Sequence, residues 1–202
     1  MVDEETDTVY VSGVNRDDSL LWIVDGHTLT LKQTIQGLGK LNTGLALDSQ
    51  SRRLYTSNAD GEFITIDTSN NEIISRNKIV SDGQEHMLMN TSLDNKGHRA
   101  FVADNKVGNI YVVDSNSGKV ITSIKVPESL GVLFNPKRNE IYTSHRIQGT
   151  VSIIDGPAKA LLTAKRGRKA GGPYRYARIA CLLLYCLRIL NYQRTQYQPV
   201  CG

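Results

Sequence analysis

From residue 8 to residue 155, apolar and polar positions alternate in short runs rich in β-branched residues, and each run is closed by Gly, Asn, Asp or Ser. A period of two marks half-buried β-strands, and the closing residues mark tight turns. The runs recur. An aromatic stands in register in four of them, at Tyr10, Tyr55, Phe101 and Tyr142, with spacings of 45, 46 and 41 residues. A second marker, a strand ending in aspartate, follows each aromatic: Trp22 to Asp25, Ile64 to Asp67, Tyr111 to Asp114 and Ser152 to Asp155. A third precedes three of the aromatics, as Leu45 to Asp48, Thr91 to Asp94 and Val132 to Asn135.

Three markers with one period of 41 to 47 residues predict four antiparallel strands per repeat, the size of one β-propeller blade. A twisted four-stranded sheet cannot bury both faces alone, and stacking such sheets around an axis covers each with its neighbour. Residues 43–80 and 89–126 read as whole blades, whereas 8–36 and 130–155 each supply three strands. The predicted fold is therefore all-β, a partial β-propeller of about four blades with two incomplete. An arc of that kind leaves blade faces and strand edges open, so self-association is expected.

All markers stop at Asp155, and charge shows how sharp the break is. Residues 1–155 hold 15 Lys or Arg and all 20 Asp and Glu, a balance of −5. Residues 156–202 hold 9 Lys or Arg, no acid, all three cysteines and five of the nine tyrosines. The net charge of +4 belongs to this tail. The chain divides into a propeller segment, 1–155, and a basic, acid-free tail, 156–202, expected to be unrelated to it and disordered or weakly helical. A reading-frame change near Gly156 explains the break better than a genuine tail for nucleic acid or anionic lipid. The longest apolar run of the tail, Ile179 to Leu187, is too short to cross a bilayer. No secretory signal is visible after Met1, which predicts a cytoplasmic chain as written.

The segments Gly44 to Gly61 and Pro127 to Pro136, loops included, resemble the YVTN-repeat β-propeller family. The resemblance spans residues 8–155. It implies a seven-bladed, periplasmic propeller that binds single-stranded DNA and has no assigned catalytic activity or cofactor. Lactonases and quinone-dependent dehydrogenases built on related propellers define the enzymatic alternative, and a protein-interaction scaffold is a third reading.

The recurring aspartates Asp25, Asp67, Asp114 and Asp155 are expected to form turns rather than a carboxylate cluster, and the recurring aromatics to pack between sheets. Function is expected where the repeat is broken. Loops joining the second and third strands share a propeller face with the connections between blades. Arg16, Lys40, Asn58, His86, Lys106, His145 and Arg146 lie in these loops and are the candidate rim for single-stranded DNA or another polyanion. No zinc-protease helix, nucleophile elbow or Cys-x-x-Cys motif is present, so no catalytic residue, metal ligand or cofactor is assigned.

Overall fold

The computed structural model describes residues 1–145, 147–155 and 165–166. It contains four antiparallel sheets in chain order, each with neighbouring strands consecutive in sequence. Blade 1 comprises β1 (Val2–Asp3), β2 (Thr8–Gly13), β3 (Leu20–Asp25) and β4 (Leu31–Ile35). Blade 2 comprises β5 (Leu45–Asp48), β6 (Arg53–Ser57), β7 (Glu62–Asp67) and β8 (Glu72–Lys78). Blade 3 comprises β9 (Leu88–Asp94), β10 (Arg99–Asp104), β11 (Asn109–Asp114) and β12 (Val120–Lys125). Blade 4 comprises β13 (Ser129–Asn135), β14 (Glu140–His145), β15 (Thr150–Asp155) and β16 (Lys165–Arg166).

The two blades read as three-stranded each gain a two-residue strand. Val2–Asp3 pairs with Val9 and Thr8, and Lys165–Arg166 pairs with Ile153 and Ser152. Asp3 carries a signal for its strand: it precedes Asp48, Asp94 and Asn135 by the same repeat of 45, 46 and 41 residues. Lys165–Arg166 corrects the expectation of coil or helix at that point of the tail, because the open edge of β15 offers backbone partners to a passing chain. The rest of the tail, and the proposed frame change with it, lies outside the described residues.

The core consists of three seams between blades. Tyr10, Leu21 and Ile23 of blade 1 pack on Leu54, Ile64 and Ile66 of blade 2. Tyr55 and Phe63 of blade 2 pack on Ala100, Val102, Tyr111 and Val113 of blade 3. Phe101, Ala103, Ile110 and Val112 of blade 3 pack on Val132, Phe134, Ile141 and Ile154 of blade 4. Each large side chain fully buried here contributes about 1.5–3 kcal/mol. The expected role of the aromatics is met at Tyr10, Tyr55 and Phe101, which are buried between sheets, whereas Tyr142 faces away from blade 3 and is half-buried. The inner strands β5, β9 and β13 stand side by side along the concave side. Gly44, just before β5, is required there, since a Cβ at this position would lie 2.7 Å from Asn90 Cα and 2.9 Å from Thr91 N.

The turns repeat as closely as the strands. Asp25 accepts backbone N–H groups from His27 and Thr28, Asp67 from Ser69, and Asp114 from Ser117. Asp48, Asp94 and Asn135 do the same for Gln50, Gly97 and Lys137. These backbone bonds, with neighbouring hydroxyl and cationic groups, hold the Asp25, Asp67 and Asp114 carboxyls below the usual range. Four residues after each marker the chain takes a left-handed conformation, at Asp7, Arg52, His98 and Asn139 in one set of turns and at Leu29, Asn71 and Gly118 in the other. A register shift sits one or two residues before Asp25, Asp67 and Asp114, a bulge that matches this turn geometry.

Candidate functional site

Two ends of the arc differ in build. At the loop end, the connections between blades are tied by backbone bonds to the loops joining second and third strands. Ser19 donates to Gly39, Leu41 to Asn15, Ala59 to Lys40, Asn105 to Met87, and Val126 to Gly108. The two loop sets share one face, as their place in the blade predicts. At the turn end lie the tight Asp-headed turns.

Three polar side chains fasten the loop end from one repeat position, three residues after the blade aromatic. Asn58 Nδ2 donates to Leu38 O at 3.0 Å, Asp104 Oδ1 accepts from Met87 N at 3.1 Å, and His145 Nδ1 lies 2.6 Å from Pro127 O. Each partner belongs to the connection entering that blade. All three side chains are buried and saturated: Asn58 also accepts from Glu62 N, Asp104 from Lys106 N and Val107 N, and His145 Nε2 meets Ser152 Oγ. The register of the aromatic could have placed Asn58, Asp104 and His145 at this one position. Seen loop by loop, it is hidden by the change of residue type.

Three of the rim cations, Lys40, Lys106 and His86, have partners too. Lys40 pairs with Asp60 at 3.7 Å and Lys106 with Glu85 at 2.8 Å. His86 lies between two carboxylates, Nδ1 2.6 Å from Asp104 and Nε2 2.7 Å from Asp82, with its side chain 5% exposed. Burial depresses the imidazolium, but hydrogen bonds and charge from Asp82 and Asp104 outweigh it and raise the pKa above the ordinary histidine value. Lys40, His86 and Lys106 line one groove of about 620 Å³ between blades 2 and 3, together with Asp60, Asp82 and Glu85. Arg16 stands exposed on the blade 1 loop, outside that groove. Arg146 lies outside the described residues.

The turn end presents its cations differently. Arg52, Lys96 and Lys137 are exposed in the first turns of blades 2, 3 and 4, and none is within ion-pair distance of a carboxylate among the described residues. Beside them, Arg53 pairs with Asp67 and Arg99 with Asp94, the Arg99 guanidinium lying over the Phe101 and Phe134 rings at 5.5 and 5.8 Å. The matching turn of blade 1 is acidic, with Glu4, Glu5 and Asp7. Of these cations Lys96 lines a cavity of about 870 Å³ on the concave side, together with the inner strands and Ser49, Gln50, Asn95 and Pro136. Among the described residues no group of three His, Cys, Asp or Glu is placed to hold a metal, and no helix is long and apolar enough to cross a membrane.

No family profile matches the chain. It is 55% identical over 155 residues to the uncharacterised protein YncE of Salmonella typhimurium, covering 77% of this chain and 44% of that one. To YncE of Escherichia coli it is 52% identical over 136 residues, covering 67% and 38%. The chain carries a YncE-like propeller segment. It spans less than half the length of the curated relatives it matches. Solved structures agree on the fold. The chain superposes on yeast Sqt1 with a TM-score of 0.68 at 14% identity, covering 84% of this chain and 48% of that one. On hydrazine synthase of Kuenenia stuttgartiensis the TM-score is 0.62 at 16% identity, covering 75% and 43%. Fold and relatives together show a β-propeller segment.

Proposed function

We propose that the whole propeller is a non-catalytic binding module that holds an anionic chain, single-stranded DNA being the leading candidate, across the turn end of its blades. The observation that carries this reading is the recurrence of exposed cations, Arg52, Lys96 and Lys137, one in the first turn of each of three consecutive blades, without carboxylate partners among the described residues, with Lys96 at the edge of an open cavity. Blades repeat around an axis, and so do phosphates along a strand. Each cation neutralises one phosphate and releases its condensed counterion, a mode that tolerates any base sequence. At the loop end, Lys40 and Lys106 are already neutralised by Asp60 and Glu85, so a phosphate there would have to displace a carboxylate.

The test is a salt titration of fluorescently labelled oligothymidine binding, read by anisotropy. Three phosphate contacts predict a slope of about −2 in log K against log salt. Absence of binding at low ionic strength, or affinity that ignores salt, overturns the reading.

A further inference from the structure

The connection between β8 and β9 is tied at both ends and loose in the middle. At its start Ile79 N and Val80 N donate to Gly61 O of blade 2, and at its end Met87 N donates to Asp104 of blade 3. Between these ties Ser81, Asp82, Gly83, Gln84 and Glu85 are all exposed. Gly83 holds φ at 79°, and a Cβ there would meet nothing within 4 Å, so nothing packs on the middle of the segment. The same five residues form one wall of the groove of about 620 Å³ that Lys40, Asp60 and Lys106 also line.

Two side-chain contacts hold segment 81–85 to blade 3, and they differ in kind. Glu85 pairs with Lys106, but both side chains are more than half exposed, and a pair of that sort is worth little. Asp82 meets His86 Nε2, and Nδ1 of the same ring meets Asp104. The two carboxylates are not equivalent. Asp104 is wholly buried; its Oδ1 accepts three backbone N–H groups, and its Oδ2 has the His86 ring as partner. The Asp82 side chain is 49% exposed, so water can take over its bond.

An imidazolium has two N–H donors and serves both carboxylates, whereas a neutral ring has one. The proton that remains belongs on Nδ1, because without it Asp104 Oδ2 would be a buried charge lacking a donor, while Asp82 can turn to solvent. Nε2 then aims a lone pair at the Asp82 carboxylate, and that contact becomes repulsive. We infer that His86 is the latch of a lid: the doubly protonated ring fastens segment 81–85 beside the groove between blades 2 and 3, and loss of the Nε2 proton frees it while the Asp104 end stays fixed. Burial lowers the pKa of the ring, but hydrogen bonds and charge from Asp82 and Asp104 outweigh it. The lid is therefore shut below the ordinary histidine value and opens as pH rises through the higher folded one. The other titratable groups around the ring are Glu85 beside it, Lys106 and Tyr111 of blade 3, and Lys40, Asp60 and Lys78 of blade 2, all of types that titrate away from neutral pH.

Side-chain nitrogen NMR of His86 and α-carbon relaxation at Gly83 and Gln84 test this on either side of the ring's midpoint, undisturbed by base-catalysed amide exchange. Above it the wild type is expected to hold the Nδ1–H tautomer, and the order parameters of Gly83 and Gln84 to fall from about 0.85 to below about 0.6. Asp82→Asn distinguishes a latch from general loosening. Its carbonyl accepts from the protonated ring and its amide donates to the bare Nε2, so the segment is expected to stay rigid at both pH values. Asp82→Ala is expected to be mobile at both. An Nε2–H tautomer at high pH overturns the inference, since the release would then lie at Asp104. So does an Asp82→Asn variant that loosens with pH as the wild type does, or an Asp82→Ala variant that is rigid at low pH.

Discussion

The loop end and the turn end are made from the same repeat, yet they spend their polar side chains in opposite ways. At the loop end the chain must cross from one blade to the next. Nine-residue connections between β4 and β5 and between β8 and β9 carry backbone groups that need partners. Asn58 and Asp104 supply them, His86 braces Asp104, His145 does the same for the Pro127 carbonyl in the next connection, and all four are consumed as fasteners. At the turn end the hairpins are short, and one Asp or Asn oxygen satisfies each, so that Arg52, Lys96 and Lys137 face solvent although Arg53 and Arg99 beside them are paired. Charge at a candidate site therefore matters less than whether the fold already uses it.

Substitutions can break this contrast, beginning with the strongest fastener. Asp104→Ala strips the partner from His86 and from three backbone N–H groups in a buried place, and is expected to cost about 3–5 kcal/mol in urea unfolding. The triple variant R52A, K96A and K137A is expected to leave the midpoint unchanged. His145→Ala comes next, at about 1–3 kcal/mol, because the Pro127 carbonyl and the Ser152 hydroxyl each lose a partner.

A smaller effect depends on pH. With its pKa raised, His86 contributes stability that is fully present below its unfolded value of about 6.5 and is lost as pH rises through the higher folded value. The Asp82 carboxyl, held low chiefly by its hydrogen bond to His86, contributes in the opposite sense and loses its share as pH falls through its depressed value. The fastening of this loop is thus tightest between those limits. Amide exchange of Met87 and Asn105 is expected to quicken above neutral pH, beyond the intrinsic base catalysis seen at Gln50 and Asn95. In His86→Gln that difference is expected to disappear.

The smallest expected effect belongs to the turn end. Leu29 is 76% exposed and holds φ at 57°, the position that Gly118 and Asn71 occupy in later blades. Leu29→Asn is expected to stabilise by about 1 kcal/mol, read as a rise in thermal midpoint. No change would mean that the turn strain is relieved elsewhere.

The repeat made the blades, the seams and the Asp-headed turns legible, because strand period, aromatic register and turn chemistry are local properties written once per repeat. The two-residue strand at Val2–Asp3 was missed although Asp3 fits the marker, since two residues carry no alternation. The loop face was also legible, since Arg16, Lys40, Asn58, His86, Lys106 and His145 all lie in its loops. What residue type alone could not reveal was their occupation. The partner of Lys40 lies 20 residues away at Asp60 and that of His86 lies 18 away at Asp104, pairings made only when connections fold back over a blade. At the turn end the signal was present as basic residues two to four positions after Asp48, Asp94 and Asn135. Because those markers already account for the turns, the basic residues after them carry no separate periodic signal.

The claim that free rather than merely basic side chains form the binding surface can be tested by exchanging charge at both ends of the arc. Oligothymidine affinity at fixed low salt is measured for the wild type, for R52E/K96E/K137E at the turn end, and for K40E/K106E at the loop end. The account predicts that the turn-end variant loses at least tenfold while the loop-end variant stays within twofold of wild type. Loss in the loop-end variant with full binding in the turn-end variant would contradict it.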